Sequence, residues 1–123
     1  MSAASENMAK ARDAISRFTY NFSDEDEFQV GISKALRIAG LEFRREVILS
    51  KRDRIDFLLD DGIGIEVKID GSISALTRQL FRYAELPAIN GLLVAVSLNR
   101  LANLPTEING KPVQCLRIMR AFQ

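Results

Sequence analysis

Residues 56–68, Asp-Phe-Leu-Leu-Asp-Asp-Gly-Ile-Gly-Ile-Glu-Val-Lys, decide the fold because they predict a β-hairpin. Two apolar runs flank a polar turn that contains Gly62, as is usual for two antiparallel strands joined by a short loop. The first strand begins near Asp56, and the second ends in Glu66-Val67-Lys68. The length of the turn then determines whether the two acids share a face of the sheet.

A three-residue turn, Asp60-Asp61-Gly62, fits the hairpin better than the two-residue turn Asp61-Gly62. The shorter turn pairs Asp56 with Val67, so that Asp56 points away from Glu66. The longer turn places Gly62 at the left-handed position that this turn type requires. It also sorts the side chains into an apolar and a mixed face: Leu59–Ile63, Phe57–Ile65 and Ile55–Val67 on the first, and Leu58–Gly64, Asp56–Glu66 and Arg54–Lys68 on the second. We therefore predict the longer turn.

Two carboxylates and an ammonium on one face of a sheet can hold a hard divalent cation and a polarised water. Gly64 removes a side chain beside them and leaves room for a ligand. The alternative is a solvated face on which Asp56, Glu66 and Lys68 form ordinary cross-strand pairs. Central strands partly covered by two helices favour the cation site. Such a site, with its polarised water, is typical of enzymes that hydrolyse phosphodiesters.

Composition narrows the chemistry further. The 123 residues, with 47% hydrophobic and 27% charged residues, predict one globular domain. The absence of histidine excludes Ser-His and Cys-His machinery, His-bound metals and a His general base. The lone Cys115 excludes an internal disulfide and a cysteine-cluster zinc site, which fits a reducing compartment. Acid-base chemistry must then use carboxylates, Lys, Tyr or metal-bound water.

The chain carries no sign of a membrane or of an overall nucleic-acid charge. No apolar run approaches the roughly 20 residues that span a bilayer, and residues 1–10 do not resemble a secretory signal, so we expect a cytoplasmic protein without membrane contact. Because the net charge is only +1, contact with DNA would depend on local basic residues.

Periodicity and turn residues predict the order of the elements. An N-terminal helix over Ser5–Phe22, with a polar flank that suggests loose docking, precedes a helix capped by Ser23 and ended at Gly40. Strands, a helix, a buried strand, a tight turn and a last strand follow: Phe43–Leu49, Arg54–Leu59, Ile63–Ile69, Ser72 to before Pro87, Gly91–Ser97, Asn109-Gly110 and Val113–Met119. We expect an α/β domain over residues 1–123, with a mixed central sheet flanked by helices and a core of about residues 23–97.

This arrangement resembles the PD-(D/E)xK nuclease superfamily, whose core order αβββαβ matches from about Ser23 to Ser97. Its motif corresponds to Asp56 and Glu66-Val67-Lys68, with Ile55 in place of the proline. The resemblance implies a restriction-endonuclease-like fold, with an extra N-terminal helix and a C-terminal strand, in a Holliday-junction-resolvase-like or recombination-exonuclease-like branch.

The resemblance also implies roles for individual residues. Asp56, Glu66 and the Val67 carbonyl would bind Mg²⁺, for which Mn²⁺ would substitute, and Lys68 would orient or deprotonate the attacking water. Glu27 is the candidate for an additional acid and metal ligand on the first core helix, although helix capping alone explains it. Gln79 and Tyr83, four residues apart on the next helix, resemble a pair that holds the scissile phosphate or the lysine. The alternative for that pair is an ordinary core edge.

Basic residues around the predicted site are candidates for contacts with DNA phosphates, which position a duplex without reading its sequence. They are Arg44, Arg45, Lys51, Arg52, Arg54, Arg78 and Arg82. Solvated arginines are the alternative, and Glu46 is expected to be an ion-pair partner at a strand edge.

The sequence thus predicts a Mg²⁺-dependent deoxyribonuclease, structure-directed or end-directed, because the chain has no room for a separate target-recognition domain. A homodimer that resolves DNA junctions is one variant. The alternative from another class is a catalytically silent module of the same fold that binds nucleic acid or a protein partner.

Overall fold

The computed structural model describes residues 3–118, which form a six-stranded mixed sheet and three α-helices. The elements are α1 (Ala3–Ser16), α2 (Glu25–Ile38), β1 (Phe43–Ile48), β2 (Arg54–Leu59), β3 (Ile63–Lys68), α3 (Ile73–Ala84), β4 (Gly91–Val96), a 3₁₀ turn (Asn99–Leu101), β5 (Glu107–Ile108) and β6 (Lys111–Arg117). The predicted mixed α/β class is confirmed. Of the predicted last strand, Met119 lies outside the described residues.

The strands lie in the order β1-β2-β3-β4-β6-β5. Pairing is antiparallel from β1 to β3 and between β5 and β6, and parallel from β3 through β4 to β6. Every residue of β4 is buried, as a continuous apolar run in a central strand requires. Asn109 and Gly110 form the predicted tight turn, both with positive φ, and it joins the two-residue β5 to β6. The short β5 was not predicted.

Helices cover both faces of the sheet. Met8, Ala11 and Ile15 of α1 are at most 2% exposed and pack with α2 against one face, while α3 covers the other. The expected loose docking of the first helix is therefore wrong, because burying its apolar stripe stabilises the fold by about 1.5–3 kcal/mol for each large side chain. Within residues 3–118, no helix is long and apolar enough to cross a membrane.

The first helix ends at Ser16, six residues before the predicted end at Phe22. The Tyr20 hydroxyl donates to the Ile15 carbonyl at 2.7 Å, and the Phe22 ring stacks on Phe28 with centroids 4.3 Å apart. The connection to α2 thus turns two aromatic rings into the core, and their burial outweighs continuation of the helix.

The start of α2 also corrects a prediction. Asp24, not Ser23, is the N-cap, and its side chain accepts a hydrogen bond from the Glu27 amide at 2.8 Å. The Ser23 hydroxyl donates instead to the Glu27 carboxylate at 2.6 Å. The other end of the helix is as predicted, because Gly40 has a φ of 75° and lets the chain leave the helix.

The hairpin between β2 and β3 has the predicted three-residue turn. Phe57 pairs with Ile65 and Leu58 with Gly64, and the Gly62 amide donates to the Leu59 carbonyl at 3.0 Å. Gly62 has a φ of 80°, the left-handed conformation that the turn requires.

One part of the predicted register is wrong. Ile55 packs in the cluster beneath α3, whereas Phe57 and Val67 belong to the cluster beneath α1 and α2, so Ile55 and Val67 do not share an apolar face. The Ile55 side chain instead fills the space beside Gly64, where an added Cβ would lie 2.3 Å from Ile55 Cδ1, so the expected room for a ligand at Gly64 is taken. On the neighbouring strand Glu46 has a φ of 52°, a rare conformation for a residue with a side chain.

Candidate active site

Asp56 and Glu66 lie together at the point where the pairing between β2 and β3 ends. The Asp56 carboxylate accepts a hydrogen bond from the Val67 amide at 2.8 Å, and the Glu66 carboxylate accepts one from the Asp56 amide at 3.4 Å. Side chains thus replace the ladder hydrogen bonds that regular pairing would supply at this point. Asp56 is 9% exposed and Glu66 is 3% exposed, so the pair is buried.

Burial raises the pKa of both carboxyl groups. For Glu66, burial and then the nearby Asp56 charge raise the pKa to about 8, against smaller lowering effects of Lys68 and two hydrogen bonds. For Asp56, burial raises the pKa, the Val67 amide lowers it, and Glu46 raises it. Two buried carboxyls this close favour sharing a proton at neutral pH unless additional positive charge arrives.

Lys68 connects the buried pair to the surface. Its Nζ lies 3.7 Å from a Glu66 carboxylate oxygen, and its side chain is 29% exposed. It also lines a cleft of about 360 Å³ between the end of β3 and α3. The cleft is lined by Lys68, Asp70, Gly71, Ser72, Ala75, Leu76, Arg78, Gln79 and Arg82. The ammonium is therefore placed to contact both the acids and a ligand in the cleft.

Helix α3 brings both of its predicted residues to this region. Tyr83 is fully buried, and its hydroxyl donates to the Arg54 carbonyl at 3.0 Å. The same hydroxyl lies within hydrogen-bonding range of Glu66, an interaction that lowers the Glu66 pKa, while burial raises the pKa of Tyr83 itself. Gln79 lines the cleft beside Lys68. Tyr83 thus lies next to Glu66 in the core, and Gln79 lies in the wall of the cleft.

The structure does not bring Glu27 to the carboxylate pair. Glu27 is exposed, accepts from Ser23, and lines a separate hollow with Asn21 and Lys34. Glu25 instead lies near the pair, since its carboxyl is close enough to Lys68, Asp56, Asp70 and the Ile69 backbone for these groups to affect its pKa. Burial, the largest effect, raises the Glu25 pKa.

The face of α2 that is buried in the fold includes the position of Glu25. The buried stripe of α2 includes the polar residues Gln29 and Ser33, whereas the apolar Ile38 is 68% exposed. At about 100° per residue, Glu25 lies in the middle of the arc that Phe28, Gln29 and Ile32 occupy. An arc defined by the apolar residues alone includes the exposed Ile38, leaves out the buried Gln29 and Ser33, and therefore places Glu27 at the edge of the buried face.

Two of the seven basic residues predicted to contact DNA line the cleft. Arg78 is exposed there, and Arg82 forms an ion pair with the buried Asp53, with Arg82 Nε 2.9 Å from Asp53 Oδ1. Lys51 and Arg52 are exposed in the loop between β1 and β2, at the same end of the sheet. Arg78 and Arg82 therefore border the cleft, and contact of all four residues with DNA stays a prediction.

The other three arginines have different neighbours. Arg54 pairs with Glu46 at 3.1 Å, which confirms Glu46 as an ion-pair partner. Arg45 donates to the Gln29 side chain at 3.0 Å and lies over the ring of Phe57. Arg44, which pairs with Leu58, lines a separate hollow at the far end of the sheet. Arg44 and Arg45 therefore do not border the cleft.

The donor set fits a small, hard cation. In residues 3–118, no three acidic or cysteine side chains gather closely enough to hold a metal by themselves. Mg²⁺ commonly takes only one or two carboxylates and completes its shell with water and substrate oxygens. Asp56 and Glu66 offer two carboxylates whose buried negative charge is partly offset by Lys68 and by hydrogen bonds. A dication would remove the electrostatic penalty that raises both pKa values.

The fold and the site define a mixed α/β domain in which a buried carboxylate pair lies beside a basic cleft. Comparison of the chain with models of protein families, with curated proteins and with solved structures finds no match. The geometry of the site is therefore what supports a function.

Proposed function

We propose that this protein is a Mg²⁺-dependent deoxyribonuclease with a restriction-endonuclease-like fold. The observation that carries the proposal is the Asp56–Glu66 pair, cross-linked through backbone amides and joined by Lys68 to a basic cleft. Two buried acids beside a partly buried cation lower the stability of the folded protein, and such perturbed groups concentrate at functional sites.

Asp56, Glu66 and the Val67 carbonyl would hold the metal. Bound Mg²⁺ supplies a water of lowered pKa and charge stabilisation at the phosphate. The amide hydrogen bonds to both carboxylates fix their orientation before any ligand arrives, so the donors need little rearrangement. The Tyr83 hydroxyl, within hydrogen-bonding range of Glu66, would help to hold that carboxylate in place.

Lys68 is the group placed to act on the attacking water. Its side-chain nitrogen reaches both the Glu66 carboxylate and the cleft, so it can orient a water between the acids and a phosphate and, as the neutral amine, accept a proton from that water. Glu25 approaches Lys68 and Asp56 from α2 and would hold the ammonium in place. With no histidine in the chain, Lys68 and these carboxyls are the acid-base groups of the site.

DNA is the proposed substrate because the positive charge gathers at the site end of the sheet. Lys51, Arg52 and Arg78 are exposed there, and each can contact a backbone phosphate. The proposed contacts carry no base readout, which favours cleavage directed by the structure or the end of the DNA.

Cleavage assays test the proposal. The purified protein is incubated with supercoiled plasmid, linear duplex, single strands and a four-way junction, in Mg²⁺, in Mn²⁺ and in EDTA. Metal-dependent cleavage of at least one substrate is expected, with loss in Asp56→Asn and Lys68→Ala, while the exposed-site control Glu42→Gln keeps it. Binding of DNA without cleavage of any substrate would overturn the proposal in favour of a silent nucleic-acid-binding module.

A further inference from the structure

Arg82 is held by a buried carboxylate in a way that leaves its outer nitrogens available. Asp53 is 7% exposed and accepts from Arg82 Nε at 2.9 Å through one oxygen, while its other oxygen accepts from the Ser50 hydroxyl at 3.2 Å. The Asp53 backbone carbonyl accepts from the Leu49 and Ser50 amides, so the carboxylate sits on a fixed turn. Within residues 3–118, Arg82 Nη1 and Nη2 make no hydrogen bond.

The cleft that Arg82 lines carries an excess of positive charge. Its charged side chains are Lys68, Arg78 and Arg82 against the single carboxylate of Asp70. A guanidinium held through Nε presents two parallel N–H groups, the geometry that matches two oxygens of a phosphate. Gln79 adds an amide on the same wall.

We propose that this cleft is a phosphate subsite for a nucleic-acid strand, and that Asp53 is the positioning residue that orients Arg82 in it. The nature of the strand rests on the proposed function, but the subsite itself needs neither metal nor cleavage. A cleft of about 360 Å³ has room for one phosphate with part of its nucleotide, while the rest of the nucleic acid lies outside it. One strand, through an internal or a terminal phosphate, would then place that phosphate beside Lys68.

Asp53 distinguishes positioning from simple attraction. Replacing it with asparagine removes a negative charge next to the cleft, so Coulomb attraction alone predicts tighter binding of an anion. Orientation of Arg82 by the carboxylate predicts the reverse, because a freed guanidinium loses its fixed geometry. The two explanations thus give opposite signs for Asp53→Asn.

The test measures binding of short labelled single strands by fluorescence anisotropy in EDTA, over a series of salt concentrations. Asp53→Asn is expected to weaken binding about fivefold, and Arg82→Lys by a similar factor with the salt slope retained, because its charge remains. Arg78→Gln should lower the salt slope by about one. The matched control Arg17→Gln, at an exposed arginine after α1, should leave affinity and slope near the parent values.

Three ligands distinguish the source of the phosphate: a strand with a 5′-phosphate, the same strand with a 5′-hydroxyl, and inorganic phosphate as a competitor. A preference for the 5′-phosphate that Arg82→Lys abolishes assigns a terminal phosphate to the cleft. Equal affinity for the two strands, with the same losses in the variants, assigns an internal phosphodiester. Unchanged or tighter binding by Asp53→Asn, or a loss in Arg17→Gln equal to that in Arg78→Gln, would overturn the subsite.

Folding and catalysis are separated from the result. Thermal unfolding reports whether Asp53→Asn is folded. Should it unfold, Arg82→Lys tests the orientation of the guanidinium, since its charge remains, and Arg78→Gln tests the cleft, since Arg78 is exposed and makes no ion pair among the described residues. If the cleft variants bind the strand more weakly in EDTA and the protein cleaves no substrate, the phosphate subsite stands and the proposed nuclease activity is rejected. Metal-dependent cleavage with unchanged strand affinity in all cleft variants would do the opposite.

Discussion

Replacing Glu66 with glutamine should stabilise the folded protein, and the gain should grow as the pH rises. Glutamine keeps the shape of the side chain but has no charge to bury. In the folded protein the Glu66 pKa is about 8, compared with an ordinary value of 4.5. Ionisation of this 3%-exposed side chain is therefore a penalty that the parent carries and the variant lacks.

The sign follows from the direction of the shift. Because the folded state binds the proton more tightly than the unfolded state, the stability associated with Glu66 is fully present below pH 4.5 and is lost as the pH rises towards about 8. At 1.36 kcal/mol per pKa unit, the loss is below about 1 kcal/mol near pH 5, about 3 kcal/mol near pH 7 and approaches 5 kcal/mol above pH 8. The difference in free energy of unfolding between Glu66→Gln and the parent should follow that curve.

Urea unfolding of both proteins in EDTA at about pH 5, 7 and 9 measures this difference. Lost or altered hydrogen bonds at the amide would offset the curve by a constant without changing its slope. The control Glu42→Gln, at an exposed carboxyl, should differ from the parent by less than about 0.5 kcal/mol at every pH. A Glu66→Gln gap that is level with pH, or that narrows as the pH rises, would refute the reasoning.

Adding Mg²⁺ to the same measurement connects stability to the site. A dication at the pair should restore stability to the parent at high pH, by about 2.7 kcal/mol at a hundredfold excess over Kd, and should leave Glu66→Gln nearly unchanged. Equal stability of the parent in Mg²⁺ and in EDTA would show that the pair does not bind Mg²⁺.

Further substitutions test the turn, the helix acids and the tyrosine. Gly62→Ala should lower the free energy of unfolding by about 2–4 kcal/mol in urea, because the φ of Gly62 is 80° and a Cβ would lie 2.6 and 2.7 Å from atoms of the loop before β4. Gly40→Ala, with a φ of 75° and open space around it, should lower it by about 1 kcal/mol, and equal losses would contradict this. Glu25→Gln should slow cleavage about tenfold or more in time courses, and Glu27→Gln should stay within about twofold; the reverse order would reject the assignment of Glu25. Tyr83→Phe should lower the free energy of unfolding by about 1 kcal/mol, because the Arg54 carbonyl loses its donor. It should also raise the Glu66 pKa, so that stability is still being lost at a higher pH than in the parent; an unchanged pH dependence would show that the hydroxyl does not affect Glu66.

The hairpin could be predicted because several local signals agree. A glycine at the left-handed position of a three-residue turn and the sorting of Phe57 and Ile65 onto one face select the same register. Interior strands and the end of α2 at Gly40 follow from equally local patterns. These features depend on residues that are close together in the chain.

The parts that could not be predicted depend on long-range packing. Ile55 packs beside Gly64 and not with Phe57, and no local pattern in β2 signals this change of face. Glu25 was missed because the buried stripe of α2 includes Gln29 and Ser33, whose burial becomes visible only when the helix is docked. The ends of α1 and the cap of α2 depend in the same way on where Tyr20 and Phe22 pack.

The separation of β2 from β3 explains why acids stand at positions 56 and 66. The amides of Asp56 and Val67 lose regular ladder partners there and need acceptors, which the two side chains supply. An asparagine and a glutamine would satisfy the same amides without a buried charge, and would avoid a penalty of about 3 kcal/mol near neutral pH. A purely structural role therefore favours the neutral pair. Acids at both positions, with Lys68 placed between them and a basic cleft, are the arrangement expected where a cationic ligand supplies the missing charge.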